Sequence, residues 1–76
     1  MSEYLAKADS KIKVKAEQYL PGKPLVGVRV YGELAFLDRL EGDVPVDPGD
    51  WIVTLSNGSR YVVSNPVFER LYERVA

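Results

Sequence analysis

The chain contains neither histidine nor cysteine. Without cysteine it cannot build a disulfide, a thiolate zinc site or a thiolate nucleophile. Without histidine it also lacks the commonest general base and transition-metal ligand. Serine and threonine hydroxyls are present, but none stands near a strong base in the sequence. We therefore expect no catalytic residue, no metal and no cofactor, and a protein that is not an enzyme.

The sequence also lacks any apolar run near the ~20 residues that span a bilayer, and it opens without the pattern of a signal peptide. These absences predict an intracellular protein with no membrane contact. The hydrophobic share of 46% is that of a folded chain, and 76 residues make one small domain. We expect residues 1–10 to be a flexible N-terminus, because no periodicity there requires burial, and residues 11–76 to form a single globular domain.

The charges are distributed unevenly along the chain. Residues 1–32 carry six basic and three acidic side chains, whereas residues 33–59 carry one basic and six acidic ones. The whole chain has ten basic and eleven acidic residues, a balance that does not suit a dedicated nucleic-acid binder. Nucleic acid is therefore not the expected partner.

Alternating and β-rich segments predict an antiparallel sheet. Four strands are predicted before residue 50: residues 11–18, 25–31, 33–40 and the short edge piece 44–46. In the first of them, Ile12, Val14 and Ala16 alternate with charged residues, as in a half-buried strand. Residues 33–40 suit a strand or a short helix, and the turn-like residues on both sides favour the strand.

The strongest local signal is a β-hairpin formed by residues 51–55 and 60–64. Asn57-Gly58 predicts a type I′ turn, in which both central residues have positive φ. A two-residue loop at that point places Val53 opposite Val62. Both faces of the hairpin are then apolar, so both need a cover.

A short C-terminal helix over residues 66–74 is the predicted cover for one of these faces. Asn65 is favoured as its N-cap and Pro66 as its first residue. Its apolar stripe consists of Val67, Phe68, Leu71, Tyr72 and Val75. We expect Phe68 and Leu71 to pack on the hairpin.

Two charged groups are candidate sites. The acidic residues Glu41, Asp43, Asp47 and Asp50 could hold a hard cation, but hydrogen bonding within turns is the favoured explanation, because their spacing matches no calcium loop. The lysines at positions 7, 11, 13 and 15 could contact phosphates, or they could protect a sheet edge from unwanted pairing. Edge protection is the favoured explanation.

Tyrosines and arginines supply contact surface at many protein interfaces. We expect Tyr4, Tyr19 and Tyr31 in the least buried segments, and the remaining large aromatic residues Trp51, Tyr61 and Tyr72 in the core. The predicted partner-binding residues are Lys11, Lys13, Lys15, Tyr19, Arg29 and Tyr31.

From Lys11 onward, the order of several motifs follows a family pattern. The motifs are an opening strand over 11–19, Leu40-Glu41-Gly42, Pro48-Gly49-Asp50-Trp51, Gly58-Ser59-Arg60-Tyr61, and Phe68 to Glu73 in a Phe-x-x-x-Tyr-Glu helix. In this order the chain resembles a family of short uncharacterised proteins of tailed phages and prophages. The family commonly has Lys-Pro-Asp-Ile-Phe before its last helix, where this chain has residues 64–68 as Ser-Asn-Pro-Val-Phe. The resemblance implies a phage origin but brings no established activity or catalytic residue.

These patterns predict an α+β fold: a small twisted antiparallel sheet of about five strands, open or curled into a barrel, with a C-terminal helix. The predicted function is that of a phage accessory protein that binds and modulates a host or phage protein in the host cytoplasm, as a monomer or homodimer. One alternative is a module that binds a small ligand or nucleotide. Others are nucleic-acid binding through the strand over 11–15 and a structural role in the virion.

Overall fold

The computed structural model describes residues 2–75; Met1 and Ala76, at the outer ends of the predicted segments 1–10 and 11–76, lie outside the described residues. Within this range the chain forms eight strands and one helix. In chain order they are β1 (Ser2–Ala6), β2 (Asp9–Gln18), β3 (Val28–Tyr31), β4 (Leu34–Leu37), β5 (Val44–Pro45), β6 (Trp51–Thr54), β7 (Arg60–Val63), α1 (Asn65–Leu71) and β8 (Tyr72–Arg74).

The strands form two antiparallel sheets. The larger has the order β7-β6-β2-β1-β8 and the smaller the order β3-β4-β5. The predicted small β-rich fold with a C-terminal helix is therefore confirmed, and residues 33–40 do contain a strand. The barrel alternative is wrong, because the described strands divide into two sheets and neither closes on itself.

The core lies on both faces of the larger sheet, as an apolar hairpin requires. Ile52 and Val62 face the smaller sheet and pack with Ala35 and Leu37. The opposite face packs on the helix through Tyr4, Val14, Ala16, Val53 and Phe68. The helix and the smaller sheet are thus the covers of two opposite faces.

The expectation that residues 1–10 are flexible is wrong for the strand at their start. Residues 2–6 form β1, which pairs with β2 on one side and with β8 on the other. Tyr4 is buried and its ring lies edge-on to Trp51 and Phe68. The segment is therefore ordered by contacts with residues distant in sequence, which local periodicity does not report.

The hairpin register differs by one residue from the predicted one. Val53 pairs with Tyr61 and Ile52 with Val62. The loop has three residues, 56–58, because Leu55 N–H donates to Ser59 O at 2.8 Å and closes the hairpin there. Gly58 N–H donates to Leu55 O at 3.0 Å, and Gly58 is the loop residue with positive φ, +89°, so the connection is a three-residue loop with a bulge at the glycine rather than a type I′ turn. The shift moves Val62 and Val63 to the opposite faces from those predicted.

The helix is shorter than predicted and ends at Leu71. Ser64 occupies the N-cap position, and Asn65 belongs to the first turn. Residues 72–74 leave the helix as β8 and pair with Tyr4, Leu5 and Ala6. Leu71 is consequently 47% exposed rather than packed on the hairpin, whereas Phe68 is buried as expected. The Lys7 ammonium donates to Glu69 O at 2.6 Å, which satisfies a carbonyl in the last turn of the helix.

Candidate functional site

The outward side of the smaller sheet brings together two of the predicted partner-binding residues. Ala35 and Leu37 point into the core, so Leu34 and Phe36 point away from it. The strand register places Tyr31 opposite Leu34, and Phe36 between Arg29 and Pro45. We call the set Arg29, Tyr31, Leu34, Phe36 and Pro45 the outer face. Arg29 and Tyr31 are among the predicted partner-binding residues, whereas Leu34, Phe36 and Pro45 are not.

The outer face is largely apolar and open to solvent. Tyr31 and Leu34 are 56% and 62% exposed. The Tyr31 and Phe36 rings lie side by side, with centroids 6.2 Å apart. The signal that could have found Leu34 and Phe36 is their alternation with the small residue Ala35, since one side of a half-buried strand faces solvent.

Arg29 is the charged member of the outer face. Its guanidinium donates to the Asp43 carboxylate, and Asp38 lies 3.9 Å from the same nitrogen. The pKa of Arg29 is raised above its ordinary value by the charge of Asp43 first, then by Tyr31 and Asp38. These contacts hold the guanidinium beside the apolar residues.

Tyr19 lies away from this surface. It is only 7% exposed and packs in the core beneath the smaller sheet with Leu25 and Val46. Its backbone extends the pairing of β2 with β6, since its N–H donates to Asp50 O at 2.7 Å. The expectation that Tyr19 is exposed is therefore wrong, as it is for Tyr4, and Tyr61 is exposed instead of buried.

Lys11, Lys13 and Lys15 lie on β2, the third of five strands, so the predicted edge position is wrong for the strand as a whole. The pairing is uneven, however. β6 pairs only with Lys15–Gln18, and β1 pairs with Asp9 and with residues 13–16 but not with residues 10–12, where the register of β1 with β2 shifts. Among the described residues, Lys15 therefore has strand partners on both sides, Lys13 has one on the β1 side, and Lys11 lies in an irregular part of β2.

A cleft of about 360 Å³ marks the point where β6 turns away from β2. It is lined by Glu3, Lys13, Val14, Lys15 and residues 54–56 and 58. We call this place the notch. It combines lysine side chains with the apolar groups of Val14 and Leu55, and sequence reasoning did not foresee it.

A second cleft, of about 350 Å³, lies between residues 38–41 and the hairpin turn and contains two arginines. Both already have partners. Arg39 lies 3.1 Å from Glu41 and its guanidinium covers the Tyr61 ring. Arg60 donates to Val26 O at 2.7 Å and to the Thr54 hydroxyl at 3.3 Å. These arginines hold loops together, so the cleft offers a weak basis for binding an anionic ligand.

The acidic candidates do not form one cluster. The Asp50 carboxylate accepts the Asp47 N–H at 2.9 Å, which is the turn hydrogen bonding favoured from the sequence. Asp43 is paired with Arg29 and Glu41 with Arg39. In the part of the chain from residue 2 to 75, no three carboxylates come close enough to hold a metal ion.

Comparison of the chain with protein-family models, curated proteins and solved structures finds no match. The one helix described, α1, is too short to cross a membrane.

Proposed function

We propose that this chain is a non-enzymatic protein-binding module that attaches to a partner protein through the outer face. The observation that carries the proposal is the exposure of Tyr31 and Leu34 beside Phe36. Aromatic residues and arginine are enriched where proteins bind each other, and a contiguous apolar group on a small soluble domain marks such a surface.

The contacts of the outer face favour a protein partner. Arg29 is held in place by Asp43, so it loses little side-chain freedom when a partner binds. β3 is an edge strand of its sheet, so its free side adds backbone donors and acceptors next to the apolar groups. The apolar side chains are anchors for a partner, the edge of β3 orients it, and Arg29 supplies charge at the rim.

We propose further that the partner is a host or phage protein met in the host cytoplasm, and that binding modulates its activity. This part rests on the resemblance to tailed-phage proteins carried by Pro48-Gly49-Asp50-Trp51 and the Phe68–Glu73 segment. It also rests on an analogy with small phage proteins that act by binding other proteins.

A small-ligand or nucleotide function has less support, because both arginines of the 350 Å³ cleft are engaged by Glu41, Tyr61, Thr54 and Val26. Nucleic-acid binding would depend on three lysines in a chain that is acidic overall. A protein partner, by contrast, would contact the exposed apolar side chains, Arg29 and the β3 edge of the outer face.

The test is affinity capture from bacterial lysate, followed by reconstitution with the purified captured protein. Tyr31→Ala combined with Leu34→Ala should remove most of the captured protein, because these two side chains supply the exposed apolar area. Val67→Ala is the matched control, since Val67 is also exposed but lies on the helix. Hydrogen exchange of the reconstituted complex should slow across residues 28–37. Equal capture by both variants, with no protection of these residues, would refute the proposal.

A further inference from the structure

β3 is an edge strand, and among residues 2–75 no strand pairs with its outer side. Asp38 N–H donates to Gly27 O at 2.8 Å, and the pairing of β3 with β4 continues from this contact without a shift of register. Alternation along the pair therefore directs the backbone groups of Val28 and Val30 away from β4. Val28 N–H is used by Leu25 O at 3.2 Å. The Val28 C=O and both backbone groups of Val30 are left on the open edge.

The side chains of β3 do little to prevent pairing at this edge. Edge strands usually avoid it through lysine, proline or a bulge. The strand at the opposite edge of the same sheet, β5, carries Pro45, which has no N–H to donate. β3 contains neither lysine nor proline, its register is regular, and its one charged residue, Arg29, is paired with Asp43. Val30 and Tyr31 are 54% and 56% exposed on its two faces.

A second copy of β3 is complementary to this edge. Residues that face each other in an antiparallel pair point to the same side of the sheet, so a two-fold axis at Val30 sets Val30 opposite Val30 of the second copy. Each Val30 N–H then donates to the Val30 C=O of the other copy. The next pair places Arg29 opposite Tyr31 of the second copy on the outer face, at the closer spacing of pairs without hydrogen bonds.

The neighbouring positions of the two-fold axis are less favourable. An axis at Arg29 would set two arginines directly opposite each other, and it would need the Val28 N–H that Leu25 O already accepts. An axis at Tyr31 would draw Gly32 into the strand pairing, but Gly32 lies in the turn between β3 and β4 with a φ of +61°. The first register alone uses strand residues with free backbone groups.

We propose that the protein forms a two-fold homodimer in which β3 of each copy pairs with β3 of the other. The two smaller sheets, of three strands each, then join into one sheet of six. Pairing covers the exposed side chain of Val30. It also places the Arg29 guanidinium, held by Asp43, against the Tyr31 ring of the second copy.

The size of the contact sets its strength and its relation to a partner protein. β3 has four residues, whereas a standard interface uses about 20–30 residues a side, so the dimer should be weak and concentration-dependent. The dimer does not rest on the proposed function. A partner protein that pairs with the β3 edge would replace the second copy.

The first test uses single introduced cysteines, because the chain has none of its own. Val30→Cys should form a covalent dimer under mild oxidation, since the Cα atoms of a hydrogen-bonded antiparallel pair are about 5.5 Å apart, a separation that a disulfide spans. Val26→Cys is the matched control, because Val26 is 84% exposed but lies outside β3. It should cross-link about tenfold more slowly. Equal rates for the two variants would overturn the proposal.

The second test measures the dimer without cross-linking. Sedimentation velocity should show a dimer fraction that grows as the protein concentration rises toward ~1 mM. Val30→Lys should weaken dimerisation about tenfold, because it removes an apolar contact and sets two like charges opposite each other. Val26→Lys, with the same change of charge, should leave it within about twofold. Circular dichroism checks that both variants fold. A wild-type chain that stays monomeric, or a dimer that both variants weaken equally, would contradict β3 pairing.

Discussion

The rings of Trp51 and Phe68 stack face to face, with their centroids 4.0 Å apart and their planes within 5°. Trp51 begins β6, and Phe68 is the buried residue of α1. Tyr4 from β1 meets both rings edge-on. One aromatic cluster therefore joins the hairpin, the helix and the N-terminal strand, so these three elements should unfold together.

Phe68→Ala should destabilise the protein by about 3–5 kcal/mol, because it removes a side chain that is 2% exposed and leaves a cavity among aromatic rings. A domain of this size is stable by only ~5 kcal/mol or somewhat more, so the variant should be largely unfolded. Circular dichroism during urea denaturation measures the difference. Val67→Ala, the exposed neighbour, should change stability by less than about 1 kcal/mol. Similar midpoints for the two variants would show that the helix is peripheral.

The Asn65 side chain should contribute through its two hydrogen bonds rather than as an N-cap. Its oxygen accepts from the Trp51 indole N–H at 2.8 Å, and its amide donates to Glu69 at 2.9 Å. Asn65→Ala should cost about 1–2 kcal/mol. In a double-mutant cycle with Trp51→Phe, the coupling energy should be about 0.5–1.5 kcal/mol, because both changes remove the same hydrogen bond. Strict additivity would contradict this role.

The cost in stability of replacing Gly58 should depend only on how readily the new residue adopts a positive φ. Its φ is +89°, and an added Cβ would meet no atom within 4 Å. Gly58→Ala should therefore cost about 1–2 kcal/mol from the left-handed backbone, and Gly58→Asn less, since asparagine adopts this region more readily. Thermal unfolding of both variants beside Ser56→Ala, an exposed turn position, checks the order. A Gly58→Ala protein as stable as the wild type would mean that the turn has another geometry.

Gly27→Ala should be more costly than Gly58→Ala. Gly27 also has positive φ, +82°, and its added Cβ would collide with the Arg60 guanidinium, which crosses over it to reach Val26 O. Arg60→Ala should therefore relieve part of the Gly27→Ala penalty, giving non-additivity of about 0.5–2 kcal/mol in a cycle followed by chemical denaturation. Additive penalties would show that the guanidinium moves aside without cost.

The covered hairpin shows how much of this fold local sequence determines. The strands Trp51–Thr54 and Arg60–Val63 have apolar residues on both faces, so each face had to be covered whatever the topology. The apolar residue Phe68 predicted that the helix covers one of these faces. Local patterns also identified the alternation of β2 and the positions of Arg29 and Tyr31 on a strand. These features depend on neighbours within a few residues.

The identity of the second cover and the order of the strands were decided only by tertiary structure. β1 and β8 pair although about 70 residues separate them in the chain, and no local periodicity encodes such a pair. That pairing ends the helix at Leu71, gives β1 its place and turns Tyr4 inward. The extra residue in the Leu55–Ser59 turn shifts the hairpin register by one, and a side-chain period of two then exchanges its faces. The outer face and the notch exist for the same reason: residue types set which sides of a strand are apolar, but only packing decides which of those sides remain uncovered.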